Sequence, residues 1–200
     1  MAGSGSGEAW PPPIKRVLLT AEQIRERVGQ LAAELQRDYA GRQPLLLAVL
    51  RGSVVFLSDL IRHLEMPVCL DFVQLASYGA STCSSGRVEV VKDVGTDVAG
   101  RDVVVVEDIV DTGRTLAYLV EELKRRGAAS VRVCALLDKP SRRQVPVELD
   151  YVGFEVPDCF VVGYGLDFAG RYRNLPYVAE LSPQAYEAQG SEGTDVNANV

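Results

Sequence analysis

Residues 103–106 are four valines in succession, and 45-LLLAVL-50 is apolar from end to end. A strand with one wet face alternates polar and apolar residues, whereas a strand covered on both faces reads as a continuous apolar run. The segments 130-SVRVCALLDK-139 and 160-FVVGYGLD-167 also read as strands, each ending in charge. Between the runs lie helical patterns. Thr20, with Gln23 at capping-box spacing, opens a helix whose Ile24, Val28, Leu31 and Leu35 form one stripe. In 53-SVVFLSDLIRHL-64 the residues Val54, Leu57 and Ile61 share a face. A third helix over 114–126 turns Leu116, Leu119, Val120 and Leu123 inward and closes at Gly127. This order of strands and helices predicts an α/β fold, a central mostly parallel sheet flanked by helices. The segments 69-CLDFVQLASY-78 and 87-RVEVV-91 read as two further strands. They are joined by the small, polar stretch 79–86, a hairpin connection or a flexible lid loop, and the short C-terminal pieces point to a small additional lobe.

Two hundred residues suit one domain. The lead-in 1–13, with its Gly/Ser run and triple proline, and the polar tail 184–200 are expected to be disordered or frayed, leaving 14–183 as the folded unit. The net charge of −6 offers no general attraction to nucleic acid or anionic membrane. No apolar run is long enough to span a bilayer, and the N-terminus lacks the basic and apolar regions of a secretory signal. A cytoplasmic location is expected. Cys69, Cys83, Cys134 and Cys159 form no C-x-x-C pair, and His63 is the single histidine, which disfavours zinc. His63 is expected at a solvated helix end.

In parallel sheets, ligands bind beyond the carboxyl ends of the strands. Four predicted strand ends carry polar chemistry: Arg51-Gly52, Glu107-Asp108, Asp138-Lys139 and Asp167. Adjacent carboxylates cannot both enter an apolar core unpaired. At the mouth of a sheet they suit the paired hydroxyls of a ribose, or a hard divalent cation. The turn 111-DTGRT-115 leads into a helix, where successive N–H groups and the hydroxyls of Thr112 and Thr115 can cradle a phosphate. Neither the P-loop nor the dinucleotide-binding glycine pattern is present. The residues therefore point to recognition of a ribose and its 5′-phosphate.

The string 103-VVVVEDIVDTGRT-115 resembles the 5-phosphoribosyl pyrophosphate (PRPP) binding motif of type I phosphoribosyltransferases. The flanking 50-LRGS-53, 77-SYG-79, 138-DKP-140 and 157-PDCFVVGYGLDFAGRYRNLPYV-178 are similar to the hypoxanthine/guanine branch. The resemblance covers 14–181. It implies transfer of a phosphoribosyl group from PRPP to hypoxanthine or guanine with Mg2+. It implies that Glu107 and Asp108 serve ribose and metal, and that Asp111 is the general base near purine N7. Thr112, Gly113, Arg114 and Thr115 would hold the 5′-phosphate, with Arg114 standing where many relatives have lysine. Lys139, Phe160 and Val161 would contact the purine, Asp167 would lie at the purine and metal, and Arg51, Gly52 and Arg173 would hold pyrophosphate. Ser77 and Tyr78 would belong to the lid, in which Cys83 has no counterpart, and Leu50–Arg51 would be a cis peptide. The resemblance also implies a homodimer or homotetramer. Two alternatives stay open on the residues: a nucleotide-dependent RNA-binding regulator on the same fold, disfavoured by the charge, and a change of base to xanthine or a pyrimidine.

Overall fold

A computed structural model describes residues 13–77 and 88–187. The strands are β1 (Ile14–Leu19), β2 (Leu45–Val49), β3 (Cys69–Ser77), β4 (Val88–Lys92), β5 (Asp102–Val110), β6 (Ser130–Asp138), β7 (Tyr151–Glu155), β8 (Val161–Val162) and β9 (Val178–Leu181). The α-helices are α1 (Ala21–Asp38), α2 (Ser53–Arg62), α3 (Arg114–Arg125) and the short α4 (Pro183–Glu187). α4 reaches into the segment expected to fray, while residues 1–12 and 188–200 lie outside the described residues.

Six strands form the main sheet in the order β4-β3-β2-β5-β6-β7, parallel except for β4 at one edge. The all-apolar runs are central: every residue of β2 is buried, as are Val103 to Val106 of β5. Their two faces feed two cores. Leu46, Ala48, Val104 and Val106 pack with α1 and α2, and Leu45, Leu47, Val103 and Val105 pack with α3. Alternating side chains of one strand thus serve helices on opposite sides, which is why the sequence shows no polar face.

The order of connection reverses between β2 and β5. From β2 the chain crosses through α2 to β3 on one flank, and from β5 it crosses through α3 to β6 on the other. The loops leaving these two neighbouring strands therefore part to opposite faces and open a crevice between them.

Thr20 caps α1 as its spacing predicts. Its Oγ1 accepts from the Gln23 N–H at 3.2 Å, and Gln23 Oε1 accepts from the Thr20 N–H at 2.9 Å. In α2 the buried face is Ser53, Phe56, Leu57 and Leu60, while Val54 is exposed. The expected stripe through Val54 and Ile61 was rotated, because Gly52 and Ser53 are drawn under β2 by the Ser53 hydroxyl, which donates to the Val49 carbonyl. In α3 the expected Leu116, Leu119 and Leu123 are buried and Val120 is half-buried. His63 is exposed at the end of α2.

One strand expectation fails. The segment 160–167 does not join the main sheet. Only Val161–Val162 is extended, and it pairs with β9 in a separate three-stranded sheet, β1-β9-β8. Gly163 and Gly165 both take positive φ, which turns the chain immediately after the apolar pair. This hood sheet is fastened at β1 by Glu180, which receives Lys15 Nζ and Arg16 Nε, each at 2.7 Å. Among the described residues no helix is long and apolar enough to cross a membrane.

The capping box gives a direct test of the sequence-to-helix link. Thr20→Ala removes one acceptor from the α1 N-terminus and is expected to cost about 1 kcal/mol, seen as a fall of roughly 2–4 °C in the thermal midpoint. An unchanged midpoint would contradict the cap's role.

Candidate active site

The crevice is floored by the end of β5. The strand does not stop where the acids begin but continues through Glu107 and Asp108 to Val110, so both carboxylates are held on rigid ladder backbone. Burial and the neighbouring Asp108 push the Glu107 carboxyl well above its usual range. Burial likewise pushes Asp108 up to about 6, although the Ile109 N–H donates to its Oδ1 at 2.9 Å and the Arg173 guanidinium opposes the shift.

Across the crevice, the Leu50–Arg51 peptide is cis and Gly52 is the N-cap of α2. A Cβ at Gly52 would run into the Asp108 carboxylate and lie 3.0 Å from the Gly165 carbonyl oxygen. Only glycine fits between those groups. Arg51 stands exposed at the lip. The hood supplies the third wall. Arg173 donates from Nη1 to the Gly165 carbonyl at 2.6 Å, and its Nη2 lies 2.7 Å from Asp167 Oδ1. The other Asp167 oxygen accepts from the Gly170 N–H at 2.7 Å. Asp167 therefore sits in a turn of the hood and not at a strand end, as the sequence pattern had implied, yet it remains within electrostatic reach of Asp108.

The loop 111–113 delivers the chain into α3. Gly113 has φ 81°, a left-handed conformation open to glycine, and a Cβ there would meet the Val145 carbonyl oxygen at 2.7 Å and Arg143 Cδ at 2.8 Å. No side chain caps α3. First-turn N–H groups beyond that of Arg114 thus remain available to an anion, in line with the helix dipole. Thr112 Oγ1 accepts from the Arg114 N–H at 3.4 Å; Thr115 is half-buried and Arg114 exposed.

Asp111 stands between this loop and the base side of the crevice. Its Oδ1 lies 2.9 Å from Arg142 Nε, but the N–H is not directed at it, and the oxygen is buried without a hydrogen-bond donor. The contact is ionic and leaves an acceptor site open. Lys139, at the end of β6, is buried and donates from Nζ to the Cys159 carbonyl at 2.8 Å. Burial lowers its pKa from the ordinary lysine value, while Asp111 nearby works in the other direction. Beside it in the hood, Phe160 meets Phe168 edge to face, with centroids 5.5 Å apart, and Val161 is fully buried in β8.

Three residues of this region, Arg143, Gln144 and Val145, were missed in the sequence. Arg143 forms a half-buried ion pair with Asp138, and its Nε donates to the Asp111 carbonyl at 3.1 Å. The Gln144 and Val145 N–H groups donate to the Thr112 carbonyl at 3.0 and 3.1 Å. The segment after Lys139 thus clasps the 111–113 loop. An Arg-Arg pair after Pro140 reads in sequence as a solvated turn. The one available signal was Asp138, a strand-end acid in need of a cation. In the lid, Ser77 is the last residue of β3, and Tyr78 and Cys83 lie outside the described residues. Of the other thiols, Cys134 is fully buried, and Cys69 and Cys159 are half-buried.

The mostly parallel sheet, with paired acids at the mouth of its switch-point crevice, is that of a phosphoribosyltransferase: the family model "Phosphoribosyl transferase domain" matches residues 18–169. The chain is 50% identical over 175 residues to the hypoxanthine-guanine phosphoribosyltransferase of Bacillus subtilis, covering 88% of this chain and 97% of that one. It is 48% identical to that of Streptococcus thermophilus, over 86% of this chain and 96% of the relative. The crystal structure of a hypoxanthine phosphoribosyltransferase from Staphylococcus aureus superposes with a TM-score of 0.84 at 43% identity, covering 87% of this chain and 95% of the other. The chain belongs to the hypoxanthine-guanine phosphoribosyltransferase family of type I phosphoribosyltransferases.

The elevated Asp108 makes a testable statement about stability. Its folded-state pKa of about 6 lies above the ordinary carboxylate value, so the folded state is penalised increasingly as pH rises through that interval and fully above it. The penalty corresponds to about 2–3 kcal/mol. Asp108→Asn is therefore expected to raise the thermal midpoint of the ligand-free protein at pH 8 and to lose that advantage below about pH 4, as read by scanning calorimetry. Equal midpoints of the two proteins at pH 8 would count against a penalised carboxylate.

Proposed function

We propose that the chain transfers the 5-phosphoribosyl group of PRPP to hypoxanthine and guanine, releasing pyrophosphate and giving IMP and GMP. The observation that carries this reading is the buried, donor-free Oδ1 of Asp111, placed between an uncapped helix N-terminus and the buried ammonium of Lys139. The 5′-phosphate is held at 112–115 by N–H groups and the two threonine hydroxyls, with Arg114 at the rim. Such charge-assisted bonds contribute about 1.5–3 kcal/mol each. The ribose hydroxyls donate to Glu107 and Asp108. Arg51, the Gly52 backbone and Arg173 receive the pyrophosphate. As purine N9 bonds to C1 of the sugar, the C1–O bond to pyrophosphate breaks and the N7 proton passes to Asp111. The lid residues Ser77 and Tyr78 would exclude water from the cationic sugar centre.

Among the described residues no group of three or more candidate ligands forms a metal cage. The donors nonetheless fit magnesium, which is held by one or two carboxylates together with waters and substrate phosphates. Glu107 and Asp108 are like-charged and desolvated, and a cation would relieve both. Asp167 is the third candidate oxygen donor. When bound, Mg2+ would neutralise charge on the pyrophosphate.

Lys139 can only donate, which suits the O6 acceptor of a 6-oxopurine and opposes the amino group of adenine. Phe160 would stack on the base, and the Val161 carbonyl would accept from the guanine 2-amino group. The family resemblance and the acidic surface favour a cytoplasmic homodimer or homotetramer acting on small molecules, without a nucleic-acid or membrane partner.

Purified protein with PRPP, magnesium and hypoxanthine is expected to form IMP. Asp111→Asn should lower kcat by roughly 10²–10⁴ with little change in KM for either substrate, since it removes proton transfer and spares binding. An unchanged kcat would refute Asp111 as the base. Lys139→Gln, which can also accept a hydrogen bond, should erode a discrimination against adenine of order 10⁴ in kcat/KM. Competition assays among hypoxanthine, guanine, xanthine and adenine read the outcome, and retained discrimination would remove Lys139 from base selection.

A further inference from the structure

The hood turn over Gly52 holds three consecutive residues at positive φ: Gly163 at 96°, Tyr164 at 48° and Gly165 at 99°. A bulky side chain in the left-handed region is an outlier that persists only where its surroundings fix it. Tyr164 is buried, and its hydroxyl donates to Asp59 Oδ2 at 2.7 Å, across 105 residues of sequence. Asp59 lies on α2, the helix that begins at the Arg51-Gly52 loop. The next residue, Gly165, rests on the Gly52 backbone so closely that a Cβ would overlap the Gly52 carbonyl oxygen. The same Gly165 donates its N–H to the Arg173 carbonyl at 2.9 Å and accepts from Arg173 Nη1 at 2.6 Å. Arg173 in turn pairs with Asp167.

We infer that Tyr164 and Asp59 are positioning residues for the pyrophosphate half of the site. Their hydrogen bond ties the hood turn to α2 and so sets the spacing between Arg173 on one wall and Arg51-Gly52 on the other. Neither side chain needs to touch substrate. The tie joins the two elements that would grip the leaving group, and it leaves the 112–115 loop and Lys139 on other elements. The inference rests on the phosphoribosyl-transfer reading above, and it assigns a function to a strained tyrosine and a helix carboxylate that the reaction itself does not use.

The test compares wild type, Tyr164→Phe, Asp59→Ala, Asp59→Asn and the Tyr164→Phe/Asp59→Ala double variant. KM is measured for PRPP in the forward reaction, for pyrophosphate in reverse, and for hypoxanthine. Thermal midpoints and circular dichroism report folding. Tyr164→Phe and Asp59→Ala should each raise KM for PRPP and for pyrophosphate by roughly tenfold, the loss expected for one charge-assisted hydrogen bond. KM for hypoxanthine should stay within about twofold, because Lys139 follows β6 and Val161 is held independently of the tie by its pairing with β9. The double variant should be no worse than either single one, and Asp59→Asn, which keeps an acceptor, should restore most of the affinity. Unchanged KM values, an equal loss for hypoxanthine, or multiplied effects in the double variant would overturn the inference. If Tyr164→Phe fails to fold, the Asp59→Ala and Asp59→Asn pair decides by the same criteria. A wild type that makes no IMP overturns the transfer reading, and the inference with it. An active wild type with an indifferent Tyr164→Phe overturns the inference alone.

Discussion

The reversal of strand order between β2 and β5 is the constraint on which the site depends. Two neighbouring parallel strands send their chains to helices on opposite faces, so a crevice opens beyond their carboxyl ends. One lip carries Arg51 and Gly52, and the other carries Asp111 to Thr115. The valine run of β5 is the mechanical foundation. It is buried on both faces, which fixes Glu107 and Asp108 to a ladder instead of a loop. Catalytic groups on such backbone are positioned more precisely than groups on a free loop can be.

The site is assembled at an electrostatic cost. Burial raises Glu107 and Asp108 out of the ordinary carboxylate range, and Gly52 is pressed against Asp108 with no room for a side chain. On the proposed reading, stability is given up where ligand charge and hydroxyl groups would be received. Two other buried or half-buried carboxylates are matched. Glu180 receives two cations at the hood, and Asp138 is neutralised by Arg143 beneath the 111–113 loop. The contrast separates acids that hold the fold from acids that, on the proposed reading, await a ligand. Asp111 falls between the two groups: Arg142 supplies charge at 2.9 Å, yet one buried oxygen still lacks a donor.

Much of this was legible in the residues because it rests on local rules. Continuous apolar runs imply two covered faces, a Thr-x-x-Gln spacing implies a cap, and acids after a valine strand imply a sheet mouth. The resemblance added roles for individual positions. What could not be read depended on tertiary placement. The run 160–167 has the composition of a core strand, but two positive-φ glycines divert it into the hood. Val54 matched the periodic stripe of α2, and the seating of Gly52 and Ser53 rotated it outward. Arg143 had only the weak signal of Asp138 five residues before it, since the Asp111 carbonyl joins that pair only after β5 and β6 pair. The Tyr164–Asp59 bond spans 105 positions and is equally invisible to periodicity.

A crystal structure of the protein with IMP tests the central claim most directly. The 5′-phosphate should lie against the N-terminus of α3, within hydrogen-bond distance of the 112–115 amides and hydroxyls. The ribose should face Glu107 and Asp108, with the purine O6 on Lys139. Electron density placing the phosphate elsewhere on the sheet, or the purine away from Lys139, would contradict the account.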